Sequence, residues 1–221
     1  MEQNSFGRVL VTSGPTRAYL DRIRYIANTS SGTLGARIVE SLIARDIPVV
    51  HMYGQGSETP AVSDTGFLKS MQVITVDDLI KAVEKVAADG EISAVVHAMA
   101  VLDYVPELSL DTKKKSGGKY WDIRLAETPK VIAIIRNLMP DACCVGFKLE
   151  AGVTEDQLRE KAGVLLQSNN LDLVVANDID RVSETGHEAI CVGKGNRILK
   201  RLHTKTEIAE YIAELIVGRM T

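Results

Sequence analysis

Cysteine is scarce in this chain, and long apolar runs, an excess of basic charge and the usual glycine signatures of nucleotide folds are missing. Only 3 of the 221 residues are Cys. Three thiols make no disulfide framework. Cys143, Cys144 and Cys191 lie in apolar runs and read as buried thiols, which points to a reducing compartment. No apolar stretch approaches the roughly 20 residues that cross a bilayer. Residues 1–14 lack the basic-then-apolar pattern of a secretory leader, so a cytoplasmic protein without a membrane partner is expected. Lys and Arg total 26 against 29 Asp and Glu, a formal net charge of -3, which gives no reason to expect nucleic acid as a partner. Neither G-x-G-x-x-G nor G-K-[ST] follows the first strand-like segment, so the dinucleotide and P-loop signatures are absent. There is no G-x-S-x-G elbow, and His51, His97, His187 and His203 stand far apart without zinc-ligand spacing to Cys.

What is present is a regular alternation. Hydrophobic residues make up 45% and charged residues 25%, enough apolar content for one well-packed domain spanning 1–221. Strand-like segments are expected at 8–13, 48–53, 71–76, 93–99, 142–149, 171–176 and 188–192. The last returns at 198–202 after a turn at 194–197. Between them, helical periodicity covers 33–46, 77–89, 128–139, 154–168 and 204–217. Asp77 or Asp78 is the expected cap of the second helix. Thr128, followed by Pro129, is that of the third, and Thr154 with Gln157 forms a capping box for the fourth. The pattern breaks over 104–127, which is polar, carries Lys113, Lys114 and Lys115, and offers one short strand at 123–126. That stretch reads as a flap or arm outside the sheet. The expected fold is α/β: a three-layer, mostly parallel, Rossmann-like sheet with an antiparallel edge hairpin and a flap.

In such sheets ligands sit at the carboxyl ends of the strands. After the first strand comes Thr12-Ser13-Gly14-Pro15-Thr16-Arg17, then a long loop to Asn28-Thr29-Ser30-Ser31-Gly32-Thr33-Leu34-Gly35. This entry to a helix either binds an anion on its amides or is ordinary capping by Ser30 or Ser31. After the fourth strand comes Ala98-Met99-Ala100-Val101-Leu102-Asp103-Tyr104, whose small residues would let a ligand reach the backbone. Asp103 either accepts from ribose hydroxyls, helps hold a metal, or opens a solvated turn. The Lys113–Lys115 run either neutralises phosphates or is solvated surface. Phe147, after Gly146, faces a base or fills core. Asn177-Asp178 ends a later strand.

Together these strand-end motifs resemble the phosphopantothenate–cysteine ligase (phosphopantothenoylcysteine synthetase) family in its monofunctional form. The resemblance rests on T-S-G-P-T-R at 12–17, R-Y-I-A-N-T-S-S-G-T-L-G at 24–35, A-M-A-V-L-D-Y at 98–104, the lysines before Thr128-Pro129-Lys130, G-F-K at 146–148 and A-N-D at 176–178, in family order. It implies a ligase of coenzyme A biosynthesis. The carboxylate of 4′-phosphopantothenate attacks a nucleoside triphosphate, pyrophosphate leaves, and the amine of cysteine takes the acyl group from the nucleotide. Mg²⁺ is the implied cofactor, CTP stands ahead of ATP as co-substrate, and a homodimer with its site near the interface is the implied assembly. Asn28 and Lys113 take the catalytic positions. Arg24, Asn28, Met99, Ala100 and Asp103 take the substrate positions, and Ala98, Met99, Asp103, Lys113, Pro129, Lys130 and Phe147 those of the nucleotide. The metal ligands stay unassigned. Two departures stand out. The family's two triphosphate lysines are missing from 163–169, with Lys161 one turn early, and Met99 replaces a common Ala. The alternatives are a ligase for another carboxylate and a non-catalytic nucleotide-binding relative.

Overall fold

The computed structural model describes residues 7–62, 66–183 and 186–220. Residues 1–6, which open the expected leader-free N-terminus, and residues 63–65, 184–185 and 221 of the expected 1–221 domain lie outside the described residues. In chain order the elements are β1 (Arg8–Ser13), β2 (Arg17–Tyr19), β3 (Tyr25–Ala27), α1 (Thr33–Ile43), β4 (Val49–Gly54), β5 (Leu68–Val73), α2 (Val76–Ala88) and β6 (Ile92–His97). There follow β7 (Tyr104–Pro106), β8 (Leu125–Glu127), α3 (Val131–Leu138), β9 (Cys143–Glu150), α4 (Glu155–Ser168), β10 (Leu173–Val182), β11 (His187–Gly193), β12 (Arg197–Leu202) and α5 (Lys205–Met220).

Eight strands form one sheet in the order β12-β11-β10-β9-β6-β1-β4-β5. The six from β10 to β5 run parallel, and β11 and β12 add an antiparallel edge. Parallel strands need crossovers, and the crossover helices cover both faces. Val9, Val11, Val96 and Val145 face one layer, packed on Ile38 and Leu42 of α1 and Ile208, Ile212 and Ile216 of α5. Leu10, Val95 and Cys144 face the other, with Leu79 and Val83 of α2, Ile135 of α3 and Leu158 and Leu166 of α4. This is the three-layer arrangement the alternation predicts. All three thiols are free and buried, and burial pushes those of Cys144 and Cys191 up to about 12.

Several local readings are corrected. The second helix is capped by Thr75, whose hydroxyl accepts from the Asp78 amide while the Asp78 carboxylate accepts from the Thr75 amide. Asp78 is thus the reciprocal partner, and Asp77 lies in the first turn. Thr128 does not cap α3. Its hydroxyl donates to the Leu102 carbonyl at 2.6 Å, and Lys130 is the cap residue instead. The strand expected at 71–76 lies earlier, at Leu68–Val73, because Thr75 starts the next helix. The Thr154–Gln157 capping box is present as expected. The loop expected after Arg17 contains a hairpin, β2 with β3. A second small pair, β7 with β8, brackets the arm, so the strand expected at 123–126 is found two residues on.

Gly35 shows how closely α1 approaches the sheet. A Cβ there would stand 2.2 Å from Cβ of Ser13 in β1. Ala in a helix ordinarily stabilises by about 1 kcal/mol over Gly, but overpacking a tight contact costs about 1–3 kcal/mol. Gly35→Ala is therefore expected to destabilise in denaturant melts. Gly218→Ala in α5, where nothing lies within 4 Å, is expected to stabilise. A stabilising Gly35→Ala would show that α1 and β1 are not in that contact.

Candidate active site at the carboxyl ends of the central strands

The chain leaves β1 for β4 and β5 on one side, then crosses back to β6, β9 and β10 on the other. The crevice where strand order reverses therefore lies beyond the carboxyl ends of β1 and β6. Here the two chains continue to pair after the strands end. The Ala98 amide donates to Thr12 O at 3.0 Å, the Ala100 amide to Gly14 O at 2.8 Å, and the Thr16 amide to Ala100 O at 3.2 Å. The Thr16 hydroxyl accepts from the Leu102 amide at 3.0 Å. The backbone donors of Ala98 and Ala100 are thus used by the fold itself. Met99 is 7% exposed and packs in the core below, so its side chain forms floor rather than wall.

The crevice rim gathers three of the motif residues. Asn28, following β3, donates from Nδ2 to the Val101 carbonyl at 3.0 Å. An amide has two N–H donors, so one remains beside an exposed carbonyl oxygen acceptor. Two residues on, Asp103 Oδ1 accepts from Lys130 Nζ at 2.7 Å. The hydrogen bond to Asp103 is the main reason the Lys130 ammonium is held above its ordinary pKa. Pro129 is exposed beside it. Phe147 is not at this rim: its half-buried ring packs against the α1–α5 apolar layer.

Above the rim stand the β2–β3 hairpin and the arm. Asp21, buried in the hairpin turn, accepts from the amides of Ile23 and Arg24, from Arg24 Nη1 at 2.9 Å and from the Lys114 amide at 3.0 Å. Burial alone would raise its pKa. The amides of Ile23, Lys114 and Arg24, with the Arg24 charge, outweigh that and hold it below the usual carboxylate range. Trp121 lies under both Arg24 and Lys114, with centroid distances of 5.4 and 5.9 Å. Lys113 is exposed and its side chain makes no hydrogen bond or ion pair among the described residues.

Two features were not legible as a site in the sequence. Lys148 and Lys161 both bind Glu150, at 2.9 and 2.7 Å, so two cations meet one carboxylate at the end of β9. The buried hydroxyls of β1 each meet an imidazole: Thr12 Oγ1 with His97 Nδ1 at 2.7 Å, and Ser13 Oγ with His51 Nε2 at 2.8 Å. Strand register is the signal that pairs them, since His97 lies opposite Thr12 and His51 opposite Val11. At the N-terminus of α1 the cap residue is Gly32, in the left-handed conformation and without a side-chain cap bond, and only a 3.4 Å contact joins Ser31 Oγ to the Thr33 amide. Capping by Ser30 or Ser31 therefore does not account for this loop. Asp178 serves structure, accepting from the amides of Gly152, Val153 and Asp180. Among the described residues no group of three or more His, Cys, Asp and Glu could hold a metal ion. A cleft of about 1040 Å³ opens at the opposite end of the sheet, lined in part by Arg8, Glu91 and Asp172, and includes none of the rim residues.

Comparison with known proteins gives a consistent match. The family model described as the DNA/pantothenate metabolism flavoprotein C-terminal domain matches residues 5–220. A bifunctional coenzyme A biosynthesis protein of Thermococcus kodakarensis is 36% identical over 204 residues, covering 92% of this chain and 49% of that protein. A phosphopantothenate–cysteine ligase of Arabidopsis thaliana is 33% identical, covering 77% of this chain and 69% of the ligase. A solved DNA/pantothenate metabolism flavoprotein of Streptococcus pneumoniae is 29% identical with a TM-score of 0.87, covering 96% of this chain and 99% of that one. The chain spans about half the length of the bifunctional relatives it matches.

The two imidazoles, His51 buried and His97 half-buried, carry a pH signature. Burial lowers both His51 and His97 from 6.5 to about 4. The unfolded chain takes up these protons below about 6.5, while the folded protein does not until about 4. Stability from this source is therefore full above pH 6.5 and is lost as pH falls through the window. The loss for His51 alone reaches about 2 kcal/mol by pH 5. Thermal midpoints are expected to fall between pH 7 and 5, and less so in His51→Gln. A midpoint equally pH-dependent in that variant would mean His51 does not stay neutral in the fold.

Proposed function

We propose, for a chain that belongs to the family of DNA/pantothenate metabolism flavoprotein C-terminal domains, a carbon–nitrogen ligase activity that joins 4′-phosphopantothenate to L-cysteine. The observation that carries this reading is the gathering of Asn28, Asp103 and Lys130 at the strand-order reversal, under a turn that bears Arg24 and an arm that bears Lys113. The names of the Thermococcus and Arabidopsis relatives support the same chemistry.

The reaction has two steps. A substrate carboxylate oxygen attacks the α-phosphorus of a nucleoside triphosphate, and the bond to pyrophosphate breaks. The amine of cysteine then attacks the acyl carbon, and the nucleoside monophosphate leaves as the amide forms. Asn28 is fixed by one N–H on Val101, and its second N–H supports the oxyanion of the second step without titrating. Arg24 presents a guanidinium suited to a phosphate or carboxylate. Lys113, whose side chain makes no hydrogen bond or ion pair among the described residues, neutralises the acyl phosphate from the arm. The Asp103–Lys130 pair, with Pro129 beside it, receives the nucleotide. Ala98, Met99 and Ala100 shape the floor, while Phe147 packs in the α1–α5 layer away from it. Lys148 and Lys161 take the place of the triphosphate lysines missing from 163–169. Mg²⁺ bound to the triphosphate would supply positive charge that offsets the phosphates. A second copy packs against the exposed Ile23, Tyr25, Tyr104 and Leu108 of the hairpin and arm, making a cytoplasmic homodimer.

The test is pyrophosphate release with 4′-phosphopantothenate and Mg²⁺, with CTP and ATP in parallel, with and without cysteine. Cysteine-stimulated release is expected, faster with CTP. No release from folded protein that binds nucleotide would sink the reading in favour of another acid or a silent relative. Lys113→Gln is expected to lower kcat at least about tenfold more than Lys115→Gln, the scale of a lost charge-assisted contact. Equal effects would remove Lys113 from the chemistry. Asn28→Asp places a negative charge where an oxyanion forms. It is expected to slow transfer to cysteine more than pyrophosphate release, as resolved by single-turnover measurements. Equal loss of both half-reactions would contradict the role given to Asn28.

A further inference from the structure

We propose that Asp21 is the positioning residue that assembles Arg24 and the Lys113–Lys115 run into one unit, through a single buried carboxylate that accepts from both. The arm between β7 and β8 has little of its own to hold it: residues 107–120 are exposed throughout. Its attachment to the hairpin is polar. The Leu110 amide donates to Leu20 O at 3.0 Å, and the Lys114 amide donates to Asp21 Oδ2 at 3.0 Å. The same Oδ2 accepts from Arg24 Nη1 at 2.9 Å, while Oδ1 accepts from the Ile23 and Arg24 amides at 2.9 and 2.8 Å. Four donors thus converge on one side chain that is fully buried, although its partner Arg24 is 39% exposed. Trp121 completes the unit, with Arg24 and Lys114 sharing its ring.

Geometry separates the two halves of the task. Oδ1 shapes the hairpin turn. Oδ2 links the Arg24 guanidinium to the arm, and so sets how far the lysines stand from the arginine. Asn at 21 has the same shape but one acceptor oxygen. Whichever way its amide turns, an NH₂ faces two donors. Lys114→Pro removes the arm's donor, together with the ammonium over Trp121, and leaves the bonds between Asp21 and Arg24 in place. What the unit positions is the phosphate-bearing chemistry proposed above, and this inference rests on that reading for its kinetic arm alone.

The experiment has one arm that needs no activity. Tryptic cleavage after Lys115 is followed by mass spectrometry in the wild-type protein, Asp21→Asn and Lys114→Pro, beside thermal midpoints. Cleavage is expected to quicken about tenfold or more in both variants, the scale of one lost hydrogen bond to a charged group, with the midpoint of Lys114→Pro unchanged. In steady-state pyrophosphate release, Lys114→Pro is expected to lower kcat alone. Asp21→Asn is expected to lower kcat and also raise KM for 4′-phosphopantothenate, because it releases Arg24 too. A loss of stability alone would leave that split absent. Unchanged cleavage after Lys115 in Lys114→Pro overturns the proposal, including where Asp21→Asn fails to fold. Faster cleavage with KM unaltered in Asp21→Asn overturns the Arg24 half. If the wild-type protein releases no pyrophosphate, the ligase reading fails and the cleavage arm still decides the tie.

Discussion

Everything at the functional end of this molecule hangs on the pairing that continues after β1 and β6 have ended. In many parallel sheets the chains diverge at a strand-order reversal and leave an open crevice. Here residues 14–16 and 98–102 stay stitched by main-chain bonds and by the Thr16 hydroxyl. The crevice floor is lifted by several residues, and its rim falls at Val101 and Asp103. Asn28 reaches that rim only because Val101 O is held out as an acceptor. Thr128 closes the other side through Leu102 O. A threonine that would otherwise cap a helix is thus diverted to hold the rim, and α3 starts at Val131 with Lys130 as its cap residue, whose ammonium then falls on Asp103.

Two kinds of cohesion are at work. Below the rim, apolar layers on both faces of the sheet exclude water, and even the polar residues of β1 are buried against imidazoles. Above it apolar burial is sparse. The two strand pairs anchor on the core through Ala18, Ile26 and Val105, while Ile23, Tyr104 and Leu108 are exposed and residues 107–120 are tied to the hairpin by polar contacts. Exposed polar contacts of this kind open at smaller free-energy cost than a packed core does.

The sequence made the sheet legible because strands buried on both faces are continuous apolar runs, as in Arg8–Ser13 and the first half of Cys143–Glu150. The edge strand Leu68–Val73 was harder: it is polar, half exposed and lacks that signature, and its expected position slipped toward Thr75. The hairpin at Arg17–Tyr19 and Tyr25–Ala27 was read as loop because three-residue strands carry no period. Of the candidate site, the strand-end motifs fall at the carboxyl ends of the central strands, where Asn28, Asp103 and Lys130 meet. They could not show that Lys161 would reach Glu150 across 11 residues of separation, or that Phe147 would turn to the core. Those outcomes depend on which face each strand presents once its neighbours are placed, and on where a helix begins to within one residue.

Ser13 binds three distant stretches of chain into one unit of substitution. Its hydroxyl engages His51 of β4, and its Cβ fills the place where Gly35 of α1 has none. A larger residue at 13 would need more room than Gly35 leaves, a smaller one would strand the imidazole, and a side chain at 35 would need a glycine at 13. The glycine-bearing entry to α1 is therefore not portable by itself. Grafted onto another sheet, the segment from Asn28 to Gly35 would need a small hydroxyl on the strand beneath it and a neutral imidazole on the strand beside that. The unit of inheritance, and of transplantation, is a local cross-section of the sheet rather than a stretch of sequence.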